Sequence, residues 1–232
     1  TTEDAVLNDA APGVLSNDTD PDGDSLTVTT YDATSTQGAA VTVNADGSYR
    51  YDPTEAAALQ ALGEGAALVD TFTYTAGDGH GGSDTATVSM IVGGRNDAPV
   101  VVDQAFNVAE NSPDGMVAGT VSATDIDSSD ALTYTIVVGN PASLFVLDPA
   151  SGVLTVTDGS RLDFETTPTY VLTVEVTDRW LLTDTALITV NVTDVGYAPV
   201  LAMVKTGPAT AEVGKGVTYT FTISHAVSSD GS

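Results

Sequence analysis

The sequence predicts an all-β chain: tandem Ig-like, Greek-key β-sandwiches strung into an elongated array. Three observations predict it. Apolar and β-branched residues alternate with polar ones at a period near two in Thr71-Phe-Thr-Tyr-Thr75, Thr85-Ala-Thr-Val-Ser-Met-Ile-Val92, Tyr170-Val-Leu-Thr-Val-Glu-Val-Thr177 and Ala186-Leu-Ile-Thr-Val-Asn-Val-Thr193. That spacing turns one face of a strand to a core and the other to water. Turn signals at Asp22-Gly23, Asp46-Gly47, Asp78-Gly79, Asp148-Pro149 and Ser151-Gly152 separate the runs, and many short strands so punctuated indicate sandwiches. Finally, Asn96-Asp97-Ala98-Pro99 and Asp194-Val-Gly-Tyr-Ala-Pro199 each close an alternating run, which divides the chain at acidic joints.

The joints predict modules over residues 1–97 and 98–199 and the start of a third over 200–232. Within the first, Thr54-Glu-Ala-Ala-Ala-Leu-Gln-Ala-Leu62 is the one helix-like stretch, with Thr54 as its cap, short enough to be a crossover between two sheets. Setting Ala98-Pro99 against Ala198-Pro199 also sets Thr71-Phe-Thr-Tyr-Thr-Ala-Gly-Asp78 against Val171-Leu-Thr-Val-Glu-Val-Thr-Asp178, so both modules carry a strand ending in aspartate. The 33 residues after Pro199 supply two or three strands, too few to bury a core alone.

With 32 acidic and 6 basic residues, the net charge of −26 argues against nucleic acid or an anionic membrane as partner and makes cations the natural counterweight. Cysteine is absent, which excludes a disulfide framework and Cys-based zinc sites. No apolar run reaches the roughly 18 residues that span a bilayer, and no basic-then-apolar leader opens the chain, so it reads as an internal piece of something longer.

Asp18-Thr-Asp20-Pro-Asp22-Gly-Asp24 places carboxylates at alternate positions around a glycine, the pattern by which a curled loop converges oxygens on a hard cation. Asp78 is the support available from another loop, and a solvated acidic loop is the bland reading. Asp125-Ile-Asp127 is a weaker signal taken alone. Enzymatic readings fare badly, because carboxylate pairs for glycoside hydrolysis need a cleft, while the aspartate clusters sit in turns at module ends. His80 and His225 lack partner spacing for a metal or a triad. Trp180, the only tryptophan, lies in the hairpin Arg179-Trp-Leu-Leu182. A large exposed aromatic marks a binding spot; the reading preferred on sequence is that the base of the first module covers it.

Residues 98–199 resemble a cadherin repeat through Ala109-Glu110-Asn111-Ser112-Pro113, Ala123-Thr-Asp125-Ile-Asp127, Phe145-Val-Leu-Asp148 with Ser151-Gly-Val-Leu154, Leu162-Asp163-Phe164-Glu165 and Val176-Thr-Asp178. Residues 1–97 resemble bacterial cadherin-like repeats of the VCBS type found in secreted adhesins, through Val14-Leu-Ser-Asn-Asp18, Asp24-Ser-Leu-Thr-Val28, Asp46-Gly-Ser-Tyr-Arg-Tyr-Asp-Pro53 and Asp70-Thr-Phe-Thr-Tyr-Thr-Ala-Gly-Asp-Gly79. The resemblance implies a cadherin-like fold with Ca2+ at the joints. For the first joint it nominates Asn96, Asp97, Asp125, Asp127 and Asp178 with Glu3, and the register between modules adds Glu64. Gly94 replaces the first linker aspartate of the family, which implies fewer ions. For the second joint it nominates Glu110, Asp163, Glu165 and Asp194, but Gly196 and Tyr197 stand where the family has an Asn-Asp pair, so that joint is poorer and Tyr197 could pack there instead.

The expected function is therefore that of a calcium-rigidified stalk in a secreted or surface-anchored bacterial adhesin, not an enzyme. Its partners would be neighbouring repeats of the same long chain and cell-surface, glycan or homophilic ligands, with no nucleic acid and no membrane insertion. Two alternatives stay open: a subunit of an extracellular filament or surface layer, and a carbohydrate-binding accessory of a secreted enzyme.

Overall fold

A computed structural model describes the chain except for residues 129, 197–199, 207–212, 214–215, 217–219 and 227–232. The first module carries β1 (Leu7–Asp9), β2 (Thr27–Tyr31), β3 (Ala40–Val43), β4 (Tyr49–Asp52), a short helix α1 (Ala57–Gln60), β5 (Ala67–Gly77) and β6 (Ser83–Gly93). They form two three-stranded sheets, ordered β1-β4-β3 and β2-β5-β6. The alternation legible in the sequence faces inward as expected: Phe72 and Tyr74 of β5 are buried against Val41, Val43 and Tyr51 from the other sheet. One charged group enters this core. Asp70 is fully buried and accepts bonds from the Ser35, Thr36 and Tyr51 hydroxyls and from the Gln37 and Thr71 amides. Although burial alone would raise its pKa, these donors hold it below the ordinary value.

The helix is shorter than the composition of 54–62 suggests, and Thr54 does not cap it. Ala56 occupies the N-cap, and the Thr54 hydroxyl donates instead to Asp52 Oδ1 at 2.7 Å. α1 does connect the two sheets, between β4 and β5.

The second module contains β7 (Val100–Val101), β8 (Gln104–Ala109), β9 (Val117–Thr120), β10 (Ala123–Thr124), β11 (Thr133–Val138), β12 (Phe145–Leu147), β13 (Val153–Val156), β14 (Thr169–Thr177) and β15 (Thr183–Thr193). A four-stranded sheet β11-β14-β15-β8 faces a three-stranded sheet β12-β13-β9, with β7 and β10 paired to each other. Leu172, Val174 and Val176 of β14 and Ile188, Val190 and Val192 of β15 fill the space between the sheets with Phe145, Leu154 and Leu162. β8 runs parallel to β15, and the other pairs are antiparallel. Beyond the second joint, β16 (Val200–Thr206) pairs antiparallel with β17 (Thr220–Ala226). Tyr197 lies outside the described residues. Among those described, no helix is long and apolar enough to cross a membrane.

Candidate metal centre

Equivalent strands deliver equivalent aspartates. β5 and β14 each run into a hairpin whose first residue, Asp78 or Asp178, closes the turn: Asp78 Oδ1 accepts the His80 and Gly82 amides, and Asp178 Oδ1 accepts those of Trp180 and Leu182. This use of Oδ1 leaves Oδ2 of Asp178 to face the linker, where it accepts the Asn96 side-chain amide at 2.6 Å. The loop after β10 curls because Asp125 Oδ1 accepts the Asp127 amide at 2.9 Å. Asp127 in turn accepts the Asp97 amide at 2.9 Å through Oδ2. From the first module, Glu3 accepts the Arg95 amide through Oε1, and the end of α1 meets the same loop where Ser128 donates to the Ala61 carbonyl at 3.2 Å.

These bonds hold the carboxylates in place without satisfying them. Six buried side-chain oxygens among the described residues have no hydrogen-bond partner, and all six belong to this joint: Glu3 Oε2, Asn96 Oδ1, Asp97 Oδ2, Asp125 Oδ2, Asp127 Oδ1 and Asp130 Oδ2. Glu3, Asp127 and Asp178 are themselves buried. Burial and mutual repulsion push the pKa values of Glu3, Asp97, Asp127 and Asp130 up, with Asp4 adding to the first three and Asp125 to the last three. A buried, unpartnered carboxylate is costly, so a cluster of them is a candidate site for a cation that would supply the counter-charge. The donors are all oxygen, which suits a hard cation, and their irregular set suits calcium better than the strict octahedron of magnesium.

Two members escaped the sequence reading. Asp4 lies with Glu3 and Asp97, and Asp130 with Asp125 and Asp178, in triads whose oxygens fall within 4.8 Å of one another. Their signals were only an acidic neighbour of Glu3 and a third aspartate closing the Asp125 loop. Glu64 is exposed and stands 4.0 Å from Arg95 Nη1; like Asp127 it belongs to neither triad. The replacement of a linker aspartate by Gly94 has a steric cause, since a Cβ there would collide with the carbonyl oxygens of Leu62 and Gly63.

At the far end of the second module, Glu110, Glu165 and Asp194 form a third triad. Glu110 does there what Glu3 does at the first joint, accepting the linker amide of Val195 at 2.8 Å as well as that of Phe164 at 3.1 Å. Asp163 stands outside this triad because both its oxygens bind Thr166, whose amide and hydroxyl close the local turn. The carboxylates of the loop 18–24 are held in local bonds. Asp18 accepts the Tyr74 hydroxyl at 2.6 Å, Asp20 accepts the amides of Asp22 and Asp24, Asp24 faces His80 at 3.2 Å, and Asp78 is occupied by its own hairpin. None of Asp18, Asp20, Asp22, Asp24 and Asp78 belongs to a close-set triad.

The hairpin of Trp180 corrects an expectation. The base of the first module does not cover it: Trp180 is 48%, Leu181 79% and Leu182 42% exposed. Arg179 stacks over the indole at 5.3 Å, and Leu181 adopts a positive φ of 74, where the equivalent hairpin has a glycine, Gly81, also at positive φ.

Residues 1–94 match the family model of the bacterial cadherin-like domain, and residues 104–193 match that of the cadherin domain. Among curated relatives, the chain is 34% identical over 120 residues to cadherin-related family member 2 of Mus musculus, covering 49% of this chain and 9% of that protein. It is 36% identical over 95 residues to the protocadherin-like wing polarity protein stan of Drosophila melanogaster, covering 40% of this chain and 3% of that one. The chain thus spans only a small part of these relatives. Among solved structures, the extracellular cadherin domains 1–4 of protocadherin gamma B7 align with TM-score 0.45 and 19% identity over 85% of this chain and 50% of that chain. The two family matches lie side by side on one chain, a bacterial cadherin-like domain followed by a cadherin domain.

Proposed function

We propose that this chain is a stalk segment of an extracellular bacterial adhesin, with Ca2+ held at the first joint. The observation that carries the reading is the convergence there of six unpartnered buried oxygens. Glu3 and Asp4 would bind from the first module, Asn96 and Asp97 from the linker, and Asp125, Asp127, Asp130 and Asp178 from the second module. Bound Ca2+ would supply the missing positive charge and about 6–8 ligand positions that tie these three segments together. The protein's own part is to pre-position the oxygens through backbone amides, so that little ordering remains when the ion arrives. Extracellular sites of this kind work at Kd on the order of 10⁻⁴ to 10⁻³ M, a range that ambient calcium outside a cell fills. Modules over 1–97 and 98–199, with β16 and β17 opening a third over 200–232, complete the proposal, as does a weaker site at Glu110, Glu165 and Asp194.

Melting curves with chelator, calcium or magnesium test it. Chelation should lower the melting temperature, and calcium rather than magnesium should restore it; at ligand near 100 Kd each site adds about 2.7 kcal/mol. An unchanged curve in excess chelator removes the calcium reading. The exposure of Trp180 favours one further reading, a glycan-binding surface at that hairpin; a saccharide-dependent shift in its fluorescence would support it, and a silent spectrum across a saccharide panel would end it.

A further inference from the structure

The hairpin after β14 is built like the one after β5 but uses its aspartate differently. In both, the aspartate amide donates to the carbonyl four residues on, Asp78 to Gly82 at 3.2 Å and Asp178 to Leu182 at 3.1 Å, and Oδ1 collects two amides of the turn. Asp78 also turns Oδ2 back onto the Gly82 amide at 3.2 Å, so both its oxygens serve the turn. A Cβ at position 82 would collide with that Oδ2. Position 182 carries a Cβ, because leucine stands there. The folded-back arrangement is thereby closed to Asp178, and its Oδ2 accepts the Asn96 side-chain amide of the linker instead. One buried carboxylate holds the turn with one oxygen and faces the joint with the other.

A second link runs through Arg179. Burial and the surrounding aspartates raise the pKa of Asp130, and Arg179 pulls it back down, while the same guanidinium covers the Trp180 ring. Asp130 and Asp178 share their triad with Asp125, and Oδ2 of both Asp125 and Asp130 is buried without a partner. The turn itself is weakly held. Leu181 keeps its positive φ with no glycine to relieve it, and Trp180, Leu181 and Leu182 are exposed. A strained turn with few buried contacts opens at low cost, so the carboxylate that collects its amides decides how well it is ordered.

We propose that the hairpin 179–182 is linked to the first joint: a cation there fixes Asp178, and the fixed carboxylate orders the turn that presents Trp180. Leu182 is the positioning residue, because its Cβ commits Oδ2 of Asp178 to the joint. The inference rests on the calcium reading of that joint and adds to it the regulation of the exposed apolar tip. Linkage is reciprocal, so a ligand that binds the ordered tip would also tighten the ion.

Amide hydrogen exchange of the full chain, in chelator and in saturating calcium beside a calorimetric titration, tests it. Exchange at Trp180 and Leu182 should slow roughly tenfold or more with calcium. The His80 and Gly82 amides, held by Asp78, and the Ser151 amide, held by Asp148, should not change. Leu182→Gly should let Oδ2 fold back, lowering calcium affinity roughly tenfold and shrinking the exchange response at Trp180. Calcium binding with unchanged exchange at Trp180 and Leu182 overturns the proposal and leaves the calcium reading standing. So does equal slowing at His80, Gly82 and Ser151, which is general stabilisation. Leu182→Gly binding calcium as tightly as the unaltered chain overturns the part given to Leu182. No calcium binding at all removes the calcium reading and this proposal with it.

Discussion

At the scale of single residues, the joint carboxylates should respond to substitution with opposite signs depending on the ion. Asp127 is buried, with Oδ1 unpartnered and a raised pKa. Without an ion, Asp127→Asn removes a desolvated charge and should raise the melting temperature; with saturating calcium it removes a ligand and should lower it. Calorimetric titration should show calcium affinity falling roughly tenfold or more for Asp127→Asn and Asp130→Asn, because ligand charge sets affinity in such sites, while Glu64→Gln should leave it unchanged. One melting response of the same sign in both conditions would mean that the charge is not what the ion answers. The pH dependence has the same origin. For Glu3, Asp97, Asp127 and Asp130 the folded chain holds protons that the unfolded chain releases. In chelator, stability should therefore rise as pH falls from neutral toward the ordinary carboxylate values of 3.8 and 4.5, and calcium should stabilise less over that interval as protons compete. Asp125, Asp127 and Asp178 were nominated through the resemblance of residues 98–199 to a cadherin repeat, the Asp125-Ile-Asp127 spacing being a weak signal alone. Asp4 and Asp130 were not, since what brings them in is the curl of two loops, and Glu64, nominated by the register between modules, lies exposed beside Arg95.

At the scale of elements, the two hairpins after β5 and β14 share their aspartate and their amide bonds, and this equivalence was readable from the register set by Ala98-Pro99 against Ala198-Pro199 together with the alternation. What alternation does not encode is contact between segments, and Gly94 illustrates it. The residue looks like a lost ligand in the sequence, yet the Leu62 and Gly63 carbonyls leave no room for a side chain. Gly94→Ala should cost about 1–3 kcal/mol in urea unfolding, as overpacking does, and weaken calcium binding by displacing the linker; an unperturbed variant would show that the turn after α1 yields. The Trp180 hairpin makes the converse point. Its position at the top of the second module suggested cover from the base of the first, but the tip remains in water. Leu181 holds a left-handed conformation there that costs a non-glycine residue roughly 1–2 kcal/mol. Leu181→Gly should consequently raise stability or leave it unchanged, and a clear loss in urea unfolding would reveal a contact for that side chain.

At the scale of the whole chain, the two joints differ in how many segments contribute. The first draws oxygens from the base of one module, the linker and the top of the next, and direct bonds from Asn96 to Asp178, from Asp97 to Asp127 and from Ser128 to Ala61 already cross it. Repulsion among its desolvated carboxylates opposes that closure, so the geometry of the joint should depend on a cation. The triad at the second joint comes entirely from the second module and its own linker residue Asp194, so neutralising it ties down only one side. Solution scattering should thus show the angle between the first two modules broadening on chelation, and broadening likewise for Asp127→Ala or Asp178→Ala with calcium present, because each removes an oxygen that bridges modules. Asp194→Ala should change the scattering profile less, since no described group beyond the second joint shares its triad. Equal broadening for Asp127→Ala and Asp194→Ala would mean that the second joint is as fully bridged as the first, with its remaining ligands supplied by the segment beyond Pro199.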